Sequence, residues 1–197
     1  MKSINTVHNT SQNMIITRGT VCFNHGKESG PWGSKITELA RVAEKKEFAV
    51  QSLDYQDLPD ADPRVKRLLT SEAAQADRLI LVGSSMGGYV ATVASTVLKS
   101  QGLFLMAPAF YMPGYGEQDP TPNAKTVMVV HGWNDDVITV EHSIRFARKF
   151  SATTNLELHI IEDDHRFSAQ LPFLTMMFGR FLDQVGVMAP GTAATAS

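Results

Sequence analysis

Short runs of apolar, β-branched residues alternate along this chain with longer stretches of helical period. That alternation predicts a parallel sheet covered by helices. Strands are expected at 14–17, 20–24, 48–53, 78–83, 102–107, 126–131 and 156–161. Runs such as LILVG and TVMVV are apolar at every position, as strands buried on both faces should be. Helices are expected at 34–46, 63–74, 86–99, 137–150 and 171–185. The first places Ile36, Leu39, Ala40 and Ala43 on one face, and the second has Asp62 as a capping residue with Pro63 in its first turn. The third is rich in small residues, the fourth carries an apolar stripe and the last holds several phenylalanines. No internal repeat or low-complexity linker interrupts the pattern. Residues 1–197 therefore read as one α/β domain, with a mostly parallel central sheet flanked by helices on both faces and flexible ends at 1–12 and 186–197.

Composition narrows the class. With 197 residues, 43% of them hydrophobic, the chain can bury one good core but not two. Charged residues make up 19%, the formal net charge is −2, and neither half is strongly basic, so an electrostatic footprint for nucleic acid is missing. The single cysteine, Cys22, excludes an internal disulfide framework and a cysteine-based zinc site. The leading MKSINTVHNTSQ has no apolar core of a signal peptide, and no apolar run approaches membrane-spanning length. The expectation is a cytoplasmic globular protein acting on a small molecule, with no membrane span. Oligomeric state is not legible.

The chemistry concentrates in 78–91, RLILVGSSMGGYVA. It holds G-x-S-x-G at Gly83, Ser85 and Gly87, with a buried strand running in and a small-residue helix running out. That setting, rather than the five-residue pattern, makes Ser85 a candidate nucleophile: a strained turn exposes its hydroxyl above the sheet, beside a helix N-terminus. Ser84 falls one position early in the glycine frame and is assigned to packing. A serine needs a base, and the base needs an acid to fix its tautomer, in the chain order Ser, Asp or Glu, His. Among the histidines that follow, His142 falls mid-helix and His159 within a strand. His165 follows a strand in IIEDDHRFS and is the candidate base. For the acid, VMVVHGWNDDVI offers Asp135 and Asp136. Spacing leaves both open, one to face the site and the other to cap a helix at Val137.

An acyl-transfer site also needs two N–H donors for the oxyanion. Met86, after the nucleophile, supplies one. The glycine-bearing loop 24–33 is expected to supply the other, through Lys27. A metal site drawn from His131, Asp135, Asp136, Asp163, Asp164 and His165 would leave the elbow unexplained, so no metal or organic cofactor is expected. The loop lacks the spacing of a phosphate cradle.

Taken together, His25-Gly26 after a strand, the GSSMGG elbow, HGWNDD and EDDHRF resemble the α/β-hydrolase superfamily, in the order those motifs take there. The resemblance spans roughly 21–181 and is nearest to small, lidless bacterial esterase-like serine hydrolases. It implies an acid in the pattern HGxxDxxV/I, matched by His131, Gly132, Asp135 and Ile138, and so favours Asp135 over Asp136. It also implies an aromatic two residues after the catalytic histidine, as Phe167 follows His165, and an oxyanion loop starting at HG that leaves Lys27 as donor. The antiparallel strands usual at the N-terminus shrink here to little more than 14–17. The interval between strands 102–107 and 126–131 leaves no room for a lid.

In place of a lid, the segment 108–122 is expected to line the pocket, with Phe110, Tyr111, Met112 and Tyr115 as substrate-binding candidates. The expected reaction is hydrolysis of a small ester through an acyl-enzyme on Ser85. The triad alone leaves open a thioesterase, amidase, peptidase or acyltransferase, and a module that kept the fold without turnover. The acidic run DYQDLPDAD at 54–62 is expected as a solvated loop and helix cap near the same face.

Overall fold

In the computed structural model, which describes residues 17–187, the apolar runs become six strands. These are β1 (Thr20–Asn24), β2 (Ala49–Leu53), β3 (Leu79–Ser84), β4 (Ser100–Met106), β5 (Ala124–Gly132) and β6 (Asn155–Ile161). They pair in the order β2-β1-β3-β4-β5-β6, every neighbour parallel. Burial follows position in the sheet: every residue of central β3 is buried, whereas edge strand β2 is half-buried throughout. The strand expected at 14–17 lies outside the described residues except for Thr17, which is in no strand.

Five helices cover the sheet: α1 (Ser34–Lys45), α2 (Ala61–Leu69), α3 (Met86–Leu98), α4 (Val140–Phe150) and α5 (Leu171–Val187). The alternation of strand side chains sorts them into two layers. Ile80, Val82 and Phe104 pack with Leu39 of α1 and with Phe178 and Phe181 of α5. Leu79, Leu81 and Leu103 point the other way, onto Leu68 of α2, Val90 of α3 and Phe146 of α4. Each such fully buried side chain contributes about 1.5–3 kcal/mol of hydrophobic transfer free energy, and the two layers make one continuous domain around the sheet.

Helix starts differ from the sequence expectation. α2 begins at Ala61 with Asp60 at the N-cap, because the unpaired N–H positions of a first turn accommodate Pro63 without loss. Asp62 is therefore inside the helix. The helix also stops at Leu69, and a short 3₁₀ turn, Glu72–Gln75, follows. α4 begins at Val140 with Thr139 at its cap, not at Val137. The last helix runs on through Val187; the rest of the tail, like residues 1–16, lies outside the described residues.

Register levels the carboxyl ends of the strands. Asn24 stands opposite Gly83, Ser84 opposite Met106, Met106 opposite Val130, and Gly132 opposite Ile161. The loops leaving β1, β3, β5 and β6 thus emerge along one edge, with the reversal of strand order between β1 and β3. In open parallel sheets that crevice is where ligands bind.

Candidate active site

Ser85 is set by the turn between β3 and α3. Its backbone sits at φ 55°, ψ −121°, a conformation costly for a residue with a Cβ. The turn is held there by main-chain bonds: Ser85 N–H donates to the Met106 carbonyl at 2.9 Å, and the Ser85 carbonyl accepts from Gly88 and Ala109. At Gly87 a Cβ would collide with the backbone carbonyls of Asn24 and His25, so only glycine lets α3 approach β1 this closely. Strain gathers along this edge. Ala107 after β4, Tyr111 beyond it and Phe167 after β6 also have positive φ.

The loop after β5 carries both candidate acids, Asp135 and Asp136. The Asp135 side chain is fully buried and places Oδ2 2.7 Å from His165 Nδ1. The same oxygen lies 3.2 Å from Nε2 of buried His131, whose Nδ1 accepts from the Ser143 hydroxyl at 2.7 Å. Oδ1 accepts the N–H groups of Val137 and Ile138 at 2.9 and 2.8 Å. Burial alone would raise the Asp135 pKa. The hydrogen bonds from His131, His165, Ile138 and Val137 outweigh it and hold the carboxyl well below the usual range. Asp135 thus holds both His165 and the turn at Val137, where no helix starts. Asp136 is exposed, and the turn at Val137 belongs to Asp135.

His165 is carried by a loop built from carboxylates. Asp163 accepts from the N–H groups of Asp164 and Gln170, and Asp164 from those of Arg166 and Phe167. These aspartates spend their oxygens on the backbone and shape the turn that presents the imidazole. Among the described residues, no group of three or more His, Cys, Asp or Glu is placed to hold a metal ion. Gly132 makes the approach possible, since a Cβ there would strike the Asp163 and Asp164 carbonyls. The imidazole keeps 17% of its side-chain surface exposed. Asp135 and His165 are brought together directly; no hydrogen bond joins Ser85 Oγ to His165 in this conformation. His142 and His159 take other places: His142 packs edge-on against Tyr111, and His159 pairs with Glu157 at 3.0 Å.

The loop after β1 is fixed by a buried polar network. His25 donates Nδ1–H to the Gly26 carbonyl at 2.7 Å and accepts the Tyr55 N–H on Nε2 at 2.9 Å. That pattern describes a neutral imidazole, and burial lowers its pKa to match. Asn24 accepts the Tyr55 hydroxyl at 2.7 Å. Arg64 is only 1% exposed, yet its guanidinium meets carbonyls rather than a carboxylate: Leu58 at 2.7 Å, Gly26 at 3.2 Å and His25 at 3.3 Å. It braces the loop from behind. Lys27 and Met86 both line the same cavity of about 420 Å³, as do Asp60, Asp62 and Tyr115.

The segment after β4 was expected to supply four lining side chains. Tyr115 does line the cavity, together with Pro113 and Gly114. Phe110 does not: it is completely buried and stacks on Phe146 at 4.5 Å, because the chain turns back into the α4 layer as it leaves β4. Tyr111 lies under Arg145, 3.9 Å from its ring centroid, and Met112 is half-buried off the lining. Asp62 takes the role that the segment needs. Its carboxylate accepts the Tyr89 hydroxyl at 3.0 Å and the Gly116 N–H at 3.1 Å, tying α2, α3 and the cavity wall together.

Residues 20–115 match the model of an uncharacterised protein family (UPF0227). No curated protein matches the chain. A solved structure from Xanthomonas campestris pv. campestris, described as a hydrolase of the α/β superfamily, is 31% identical, with 86% of this chain and 99% of that one covered and a TM-score of 0.76. The chain belongs to the α/β-hydrolase superfamily. More distant members share the fold. An α/β serine hydrolase without a lid from Xanthomonas campestris is 18% identical over 91% of this chain and 87% of that one, TM-score 0.65. Est1E from Butyrivibrio proteoclasticus is 15% identical over 84% and 87%, TM-score 0.70.

Within this α/β-hydrolase domain, sequence reasoning missed three residues that shape the site. Arg64 sits among charges on a short helix and gives no signal of burial. His131 was visible in the HG pair, but its bond to Asp135 was not. Lys35 had one signal, a cation in the first turn of a helix, where the dipole disfavours it.

Proposed function

We propose that this α/β-hydrolase is a serine hydrolase that cleaves an ester-type bond of a small acyl substrate through an acyl-enzyme on Ser85. The observation that carries the reading is the Asp135–His165 pair at 2.7 Å, its carboxylate buried, on the same sheet edge as a serine at positive φ. Asp135, held ionised, keeps the proton of His165 on Nδ1 and leaves Nε2 free as a base. His165 takes the Ser85 proton as Oγ attacks the ester carbonyl. The oxyanion settles between the N–H groups of Met86 and Lys27, a pair in which each donor is worth about 3–4 kcal/mol of transition-state stabilisation. Protonated His165 then gives its proton to the departing alkoxide. Water, deprotonated by His165, attacks the acyl-enzyme; as the Ser85 Oγ–acyl bond breaks, His165 returns that proton to Oγ, releasing the acid and restoring Ser85. The hydrogen bond between Ser85 Oγ and His165 Nε2 that the first step needs forms when substrate fills the site, as catalytic hydrogen bonds commonly do.

The cavity bounds the substrate. About 420 Å³, opening beside Met86 next to Ser85 and walled by Lys27, Asp60, Asp62, Pro113, Gly114 and Tyr115, suits a short acyl or alcohol group. Matched ester, thioester and amide substrates with acetyl, butyryl and lauroyl chains test both parts. Short-chain esters are expected to turn over, with kcat/KM falling about 10-fold or more from butyrate to laurate, since the long chain finds no apolar channel to bury in. Faster thioester turnover would reassign the leaving group. No turnover of any substrate by folded protein would favour a module that kept the fold without the reaction.

No helix among the described residues is long and apolar enough to cross a membrane.

A further inference from the structure

Lys35 is the second residue of α1, at the end of the helix whose dipole repels a cation, and no acidic residue shares that first turn. Its side chain does not run out to solvent. The ammonium donates to Ser84 Oγ at 3.2 Å and to the His165 carbonyl at 3.4 Å, and it lies 5.0 Å from the centroid of the Phe167 ring. Phe167 is completely buried and held at φ 59°. Among the described residues, no carboxylate comes within ion-pairing distance of this ammonium. One cation therefore joins three elements: α1, the end of β3 next to Ser85, and the loop that carries His165. The reaction scheme above uses none of these contacts.

The placement is costly. Burial is the main influence on the ammonium and lowers its pKa to about 8, with Asp135, Asp164 and Asp163 opposing and Arg166 adding to the fall. Glu162 and His165 are the remaining titratable groups on the loop it holds. A lysine whose folded pKa lies below its unfolded value penalises folding while it is charged, and the penalty fades as pH rises through about 8. Both the helix end and the desolvation argue that stability is not what this lysine supplies.

We propose that Lys35 is a positioning residue for the Ser85–His165 pair, its ammonium clamping the His165 loop onto the nucleophile elbow so that Nε2 faces the serine. The inference rests on the serine chemistry proposed above. Deprotonation leaves a neutral amine with one donor fewer and no charge, so the clamp loosens on the alkaline side.

Three forms of the full chain test it: wild type, Lys35→Met and Lys35→Arg, with Ser85→Ala as control. Fluorophosphonate labelling rate and kcat/KM on a p-nitrophenyl ester are followed from neutral to alkaline pH, with Tm measured in parallel. Wild type is expected to lose activity as pH passes about 8, where the lysine discharges. Lys35→Met should keep or raise Tm, label ~10- to 100-fold more slowly at neutral pH and show no alkaline fall. Lys35→Arg, whose charge persists, should recover most of the rate without the fall near pH 8. Lys35→Met matching wild type in rate and profile, while Ser85→Ala fails to label, would overturn the clamp and leave the serine chemistry standing. Wild type that does not label at Ser85 would remove both.

Discussion

Asp135→Asn is expected to lower kcat by about four orders of magnitude in a protein that still folds. The amide is nearly isosteric, and its oxygen can still accept the N–H groups of Val137 and Ile138, so the loop keeps its turn. Its NH₂ then faces His165 Nδ1, which can only accept from it. The proton is forced onto Nε2, and the base that should take the Ser85 proton already carries one. His131 Nε2, 3.2 Å from the same position, meets a second donor and adds to the misfit. A pH readout separates this from simple damage. A carboxyl whose folded pKa is depressed stabilises the fold above its unfolded value of ~3.9 and loses that contribution as pH falls below it. Asp135→Asn should therefore be less stable than wild type at neutral pH, with the gap narrowing in acid. A variant with wild-type kcat would remove Asp135 from the mechanism.

Gly87→Ala is expected to cost about 3 kcal/mol or more, or to prevent folding. The added methyl meets main-chain carbonyls of Asn24 and His25, which no rotamer change can move. Relief requires α3 to lift off β1 and takes the elbow with it. Gly33→Ala is the matched control. Its nearest heavy atom would be the Gly30 carbonyl oxygen at 3.9 Å, so the change should stay within about 0.5 kcal/mol. Denaturant unfolding of the two variants measures the contrast, and equal midpoints would contradict the packing argument.

What the residue pattern disclosed was whatever depends on local signals. Continuous apolar runs such as 79–82 had to be strands buried on both faces, and a strand running into glycine-flanked serine and then small residues had to be an elbow. Where it fell short, a partner distant in the chain decided the outcome. Asp62 looks like a cap beside Pro63, but Tyr89 and Gly116 claim its carboxylate. Phe110 looks like a pocket residue on a loop, but Phe146 lies across from it in the core. Asp135 and Asp136 have the same chemistry, and their environments separate only when β6 brings His165 alongside one of them. Arg64 and Lys35 are the clearest cases, since charged side chains on helices normally face water, and only the fold shows which carbonyls surround them.

The central claim is that Ser85 is an activated nucleophile. Its most direct test is to label purified protein with a fluorophosphonate probe and map the adduct by peptide mass spectrometry, alongside Ser85→Ala and His165→Ala. A single adduct on Ser85 is expected, absent from Ser85→Ala and strongly reduced in His165→Ala. Folded wild-type protein that takes no label, or takes it on another residue, would contradict it.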